Sequence, residues 1–135
     1  MRKMLMISIF TVLLIQINAQ MGLCSQNIRT GKASWYSSDD ACGKKTNNHP
    51  GCPTASGKSL YQLERDGVDF VAMNNVRMGT KVRVTNIKNN FSVIATVLDR
   101  GGFEKYGRIA DLGKKTFAKL SPTSDGIITV RIERI

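Results

Sequence analysis

Alternation of apolar and polar residues marks two strands around a tight turn. Lys81-Val82-Arg83-Val84-Thr85-Asn86-Ile87 alternates, so one face is buried. Lys88-Asn89-Asn90 follows, a turn built from residues that tolerate left-handed backbone, and Phe91 to Leu98 returns as the second strand of a hairpin. Ile127 to Ile135 alternates again after Gly126. Gly31 to Tyr36 and Val68 to Met73 are β-prone, Thr54-Ala-Ser-Gly57 reads as a turn, and Lys58 to Asp66 is a short helical turn or loop. Ile109, Leu112, Phe117 and Leu120 recur near helical spacing with Lys114, Lys115 and Lys119 on the other face, which predicts a helix stopped by Ser121-Pro122. Several short strands and one helix, without repeats or a linker, predict a small, mostly-β barrel, whose closure would remove exposed edges.

The N-terminus has a different pattern. Arg2 and Lys3 precede an apolar run from Met4 to Ile15 that is too short to span a bilayer, which takes about 20 residues. It suits a secretory signal over residues 1–24, cleaved near Ala19 or Cys24, and the mature chain then has no transmembrane segment. Lipid attachment at Cys24 is disfavoured, because bulky Leu23 stands where a lipobox needs a small residue. The 135-residue chain carries a formal charge of +10, and loss of Arg2 and Lys3 with the signal leaves +8. Export argues against a nucleic-acid partner, so the charge matches an anionic envelope polymer such as peptidoglycan or an acidic polysaccharide. Dispersed lysines serving solubility are the plainer reading.

Cys42 and Cys52 lie in one polar loop and read as a disulfide in an oxidising compartment. A zinc site from Cys42, His49 and Cys52 would have only three ligands, too few for a closed structural site. No metal or cofactor is expected. Val97-Leu-Asp99-Arg100-Gly101-Gly102 delivers one carboxylate to a strand end beside a glycine turn, where backbone can approach a ligand closely. Asp99 is the candidate reactive group, against the alternative that it only pins the turn.

Six blocks now carry a family resemblance: Gly31-Lys-Ala-Ser-Trp-Tyr36, Thr54-Ala-Ser-Gly57, Val71-Ala-Met-Asn-Asn75, Gly79-Thr-Lys-Val-Arg-Val-Thr-Asn86, Val97-Leu-Asp-Arg-Gly-Gly-Phe103 and Arg108-Ile-Ala-Asp-Leu112. In this order they resemble the rare lipoprotein A (RlpA) family over residues 31–133. The resemblance implies a single six-stranded double-psi β-barrel, mostly β with one or two short helices, related to expansin and barwin-like domains. It also implies a lytic transglycosylase that cuts peptidoglycan glycan strands and leaves an anhydro-muramyl end. In that chemistry the sugar's own 6-hydroxyl attacks the anomeric carbon, so one acid/base group suffices where hydrolysis needs two carboxylates. Of the family's site residues only Asp99 is retained: Lys58 stands for a Glu, Tyr61 for an Asp and Met73 for a His.

Further candidates are Tyr36 and Trp35 for stacking on sugars, with Tyr36 nearer the groove, or both as core residues. Arg100 could face Asp99 or hold a substrate carboxylate, and Lys58 could bind substrate. Asp111 is expected to cap the following helix, and Asp39, Asp40, Glu64, Asp66 and Asp69 to be solvated surface. A monomer is expected. A peptidoglycan-cleaving enzyme, a non-catalytic glycan-binding module resembling expansins, and a small disulfide-stapled protein acting on a protein partner are the competing functions.

Overall fold

A computed structural model describes residues 28–43 and 51–135, so the expected signal segment, Cys24 and His49 lie outside the described residues. Six strands form the framework: β1 (Ile28–Tyr36), β2 (Phe70–Ala72), β3 (Lys81–Asn86), β4 (Ser92–Asp99), β5 (Arg108–Gly113) and β6 (Ile128–Arg134). They close in the order β1-β5-β2-β4-β3-β6, with β1/β5 and β2/β4 parallel and the remaining pairs antiparallel. The hairpin joins Lys81–Asn86 to Ser92–Asp99 as its alternation requires. Three short helices, α1 (Ser38–Ala41), α2 (Leu60–Arg65) and α3 (Lys114–Ala118), sit outside the strands, one more than the sequence suggested. No helix among the described residues is long and apolar enough to cross a membrane.

The helix expected over Ile109–Leu120 is corrected at its first half. Arg108–Gly113 is strand, because Ala110 and Leu112 alternate into the barrel while Asp111 turns outward, a period of two. Pairing to β1 on one side and β2 on the other outweighs the helical spacing. Only Lys114–Ala118 is helical, and its Phe117, with Leu120 beyond it, joins the barrel core.

Two apolar clusters result. The barrel interior is small and aliphatic, centred on Val71, Val84, Val97, Ala110, Leu112 and Val130. Outside β2 and β4, Phe70 and Leu98 pack with Leu60 and Leu63 of α2 and with Cys52, and the Cys42–Cys52 disulfide ties α1 to this layer. β2 is therefore buried on both sides. Its pairing to β4 shifts register after Val71: Val71 faces Val97, but Ala72 faces Asp99. The skipped Leu98 fills the outer cluster, and Asp99 is re-aimed as bulges re-aim side chains.

Gly113, at the end of β5, is the tightest joint between barrel and outer layer. A Cβ there would stand 2.6 Å from Phe70 Cζ and 2.7 Å from Cε1. Its φ of −56° is open to any residue, so the restriction is purely steric. Gly113→Ala is expected to cost about 1–3 kcal/mol by overpacking, read from urea unfolding, and Phe70→Leu in the same chain should recover part of it. Unchanged stability in Gly113→Ala would refute this account of the joint.

Candidate functional site

Ala72 organises the site. Across β4 it faces Asp99 and across β5 it faces Asp111, so both carboxylates stand on the outer face of three adjacent strands. Strand spacing places their backbones roughly 10 Å apart. Tyr36, the last residue of β1, reaches over this face and donates its hydroxyl to Asp99 Oδ2 at 2.8 Å. The Tyr36 ring meets Phe70 edge-on, with centroids 5.8 Å apart, so the outer cluster holds the phenol in place.

Asp99 accepts two further hydrogen bonds on Oδ1, from the main-chain N–H of Ala55 at 2.9 Å and of Arg100 at 2.9 Å. The Thr54–Gly57 turn that presents Ala55 is itself fastened: Thr54 N–H and hydroxyl both donate to the Lys58 carbonyl, at 2.8 and 2.9 Å, and Ser56 N–H donates to Leu98 O at 3.1 Å. Asp99 stays half-buried rather than sealed. It thus both pins a turn and stays accessible from outside the barrel.

Arg100 takes neither orientation expected for it. Its guanidinium donates to the main-chain carbonyls of Met73 and Val76, the latter at 2.5 Å, and so clamps the β2–β3 connection. Asn74 closes the same joint, donating to Gly101 O at 2.8 Å and accepting from Gly101 N–H at 3.3 Å. The carbonyls of this connection, one of them on buried Met73, take the donors that the carboxylate next door would otherwise receive.

The other expected site residues separate. Trp35 alternates to the opposite side of β1, packs against the barrel core and donates its indole N–H to Thr123 O at 2.9 Å, with Lys114 Nζ 4.8 Å from its ring centroid. Tyr36 is the aromatic that borders Asp99. Lys58 is exposed and lines a separate cavity with Gln62 and Asp66. Met73 is buried, and Tyr61 packs on the outer cluster. Among the described residues no group of three His, Cys, Asp or Glu is placed to hold a metal ion.

Two carboxylates emerge that the sequence reading set aside. Asp111 caps nothing: α3 has no side-chain cap, and Asp111 instead accepts from the Ser34 hydroxyl and from Arg108 Nε at 3.2 Å. Its position would follow from reading Arg108–Gly113 with a period of two. Glu64 accepts from the Ser38 N–H at 2.7 Å and its hydroxyl at 2.5 Å, fixing α1 to α2 just beyond Tyr36. No local pattern announces this contact, which depends on how two helices meet.

The electrostatics converge on Tyr36. Burial pushes its phenol far above the usual tyrosine range, the Asp99 charge and hydrogen bond push it further, and Asp111 and Glu64 add in the same direction. Tyr36 therefore remains a neutral donor at any physiological pH. The arrangement offers one carboxylate with a fixed donor and a second carboxylate on the same outer face, which suits proton transfer or charge stabilisation.

Comparison with known proteins agrees with this architecture. The family described as "Lytic transglycolase" matches residues 28–132. An endolytic peptidoglycan transglycosylase RlpA of Rickettsia typhi is 38% identical over 104 residues, covering 77% of this chain and 29% of the relative. The protein of that name in Neisseria meningitidis serogroup A is 36% identical over 107 residues, covering 79% of this chain and 39% of the relative. The chain thus spans well under half the length of these relatives. Among solved structures, Streptomyces papain inhibitor superposes with a TM-score of 0.58 at 21% identity, covering 82% of this chain and 96% of that one. A mutant Clavibacter michiganensis expansin in complex with cellohexaose gives 0.53 at 19%, covering 80% of this chain and 50% of that one. At such identities the structural likeness establishes the fold.

The raised Tyr36 pKa sets a stability window. Above pH 10, the ordinary tyrosine value, the unfolded chain loses this proton while the folded chain keeps it. The stabilisation is therefore complete below pH 10 and is lost progressively as pH climbs toward the folded value. Urea unfolding at pH 9 and 11 should show a decline that is smaller in Tyr36→Phe. Equal declines in the two proteins would contradict the assignment.

Proposed function

The chain belongs to the RlpA-like lytic transglycolase family of double-psi β-barrels, and from that premise we propose that it cleaves peptidoglycan glycan strands in the cell envelope, with Asp99 transferring the proton. The observation that carries the reading is the Tyr36–Asp99 pair, half-open at a strand end, with Asp111 on the same outer face. The relatives' names supply the substrate class. Export, predicted from residues 1–24, and the disulfide agree with an extracytoplasmic site.

In this mechanism the Asp99 carboxyl passes a proton to the glycosidic oxygen as the bond to the anomeric carbon breaks. The 6-hydroxyl of the same sugar then forms the new bond to that carbon and returns its proton to Asp99. No water is consumed. Tyr36 orients Oδ2 and Ala55 N–H orients Oδ1, so the carboxyl group keeps one geometry throughout. Asp111, braced by Ser34 and Arg108, adds negative charge at longer range on the same outer face for the cationic sugar that develops at Asp99. We place the protein as a monomer, since the closed barrel leaves no strand edge to pair.

A second reading has its own support. Met73 and Lys58 occupy the places where the family carries a His and a Glu, so the family's imidazole and second carboxyl are both missing, which favours a glycan-binding module resembling expansins.

Turbidity loss of purified sacculi, with mass spectrometry for anhydro-muramyl products, separates the two. Wild type is expected to release such products. Asp99→Asn should reduce them roughly 100-fold or more and Asp111→Asn roughly tenfold, while Lys58→Ala keeps them. Pelleting with sacculi in the absence of any product would establish the binder and overturn the enzyme.

A further inference from the structure

A cavity of about 400 Å³ adjoins the end of β1, just after Tyr36, and takes no part in the chemistry above. It is walled by α1, α2 and α3 and shares Ser37, the residue after Tyr36, with the end of β1. Three cationic side chains line it, Arg65, Lys114 and Lys115, against two acidic ones, Asp39 and Glu64. Glu64 is turned to Ser38, whose N–H and hydroxyl both donate to it. The cations are poorly neutralised. Lys115 Nζ donates to a main-chain carbonyl, that of Glu64, at 2.7 Å. Lys114 lies on the Trp35 ring, and among the described residues neither lysine is ion-paired with a carboxylate. Arg65 has only a 3.8 Å contact with Asp66 at the surface, which contributes little.

A cavity of this size with weakly neutralised cations selects an anion, and its lining residue Glu64 stands close enough to Tyr36 to act on the phenol, so the cavity neighbours the Tyr36–Asp99 pair. We propose that this cavity is a carboxylate-binding subsite, engaging an acidic group carried by the glycan strand bound at that neighbouring pair. The inference rests on the peptidoglycan reading of that pair. Two sources present the same chemistry: the carboxylates of the stem peptides, and the lactyl carboxylate of a muramic acid that has lost its peptide. Arg65 and Lys114 hold the anion, while Lys115 ties α3 to α2 and keeps the cavity open.

The test is co-sedimentation of the full chain, in an Asp99→Asn background so that nothing is cleaved. The probes are intact sacculi, glycan strands stripped of stem peptides by an amidase, and sacculi whose carboxylates have been amidated. Arg65→Gln with Lys114→Gln should weaken binding to a carboxylate-bearing probe roughly tenfold, leave binding to amidated sacculi unchanged, and be reversed at the second position by Lys114→Arg. Loss on intact sacculi alone assigns the stem peptide, and loss on stripped strands assigns the lactyl group. An equal-charge control, Lys81→Gln with Arg83→Gln on the outer face of β3, should do neither. The proposal is overturned if that control weakens binding as much, if amidated sacculi lose equally, or if no charged probe responds. Arg65→Gln alone carries the test should the double variant fail to fold. Absence of anhydro-muramyl products from wild type would sink the enzymatic reading without touching this one.

Discussion

Three separated stretches of chain meet on one carboxylate. Asp99 accepts from the Tyr36 hydroxyl at the end of β1, from Ala55 in the turn before α2, and from its own neighbour's N–H. Each bond is charge-assisted, and such bonds are short and strong in a partly desolvated setting. Removing this side chain would therefore release the turn and the tyrosine together. The bonds that fasten the turn also fix the position of the carboxylate, so a structural role and a reactive one are compatible at this residue.

Arg100 supports this arrangement from behind. By gripping the carbonyls of Met73 and Val76 it fixes the connection that follows β2, and β2 is the strand that sets Asp99 and Asp111 on either side of Ala72. A cation adjacent in sequence to a catalytic carboxylate would usually be read as its counter-ion. Here the positive charge is turned away, and a phenol, which brings a proton but no charge, stands at Oδ2 instead.

Much of this was legible in order of residues. The β3–β4 hairpin followed from alternation and an Asn-rich turn, and Asp99 from a strand running into paired glycines. Tyr36 and Trp35 were both named as candidates, and the structure puts them on opposite faces of one strand, Tyr36 against the outer cluster and Trp35 against the barrel core. What failed had a common cause. Arg108–Gly113 combines apolar spacings compatible with both periods, and only its two strand partners decide between them. Misreading it hid Asp111. Glu64 and the Arg100 guanidinium were hidden for a related reason, since their partners lie 24 residues or more away and are brought close only by the fold.

The first strand of the barrel also has a bearing on how the domain travels. Ile28 is paired with Glu133, so the points where the chain enters and leaves the fold are hydrogen-bonded neighbours. They lie on the β1–β6 seam, whereas the two aspartates stand on β4 and β5. A fold whose two ends emerge together is portable: tethers or companion modules can be spliced onto that seam, or the whole bead inserted into a longer chain, with little strain transmitted to the working face. Relatives in which this barrel makes up under half of the polypeptide are what such geometry permits.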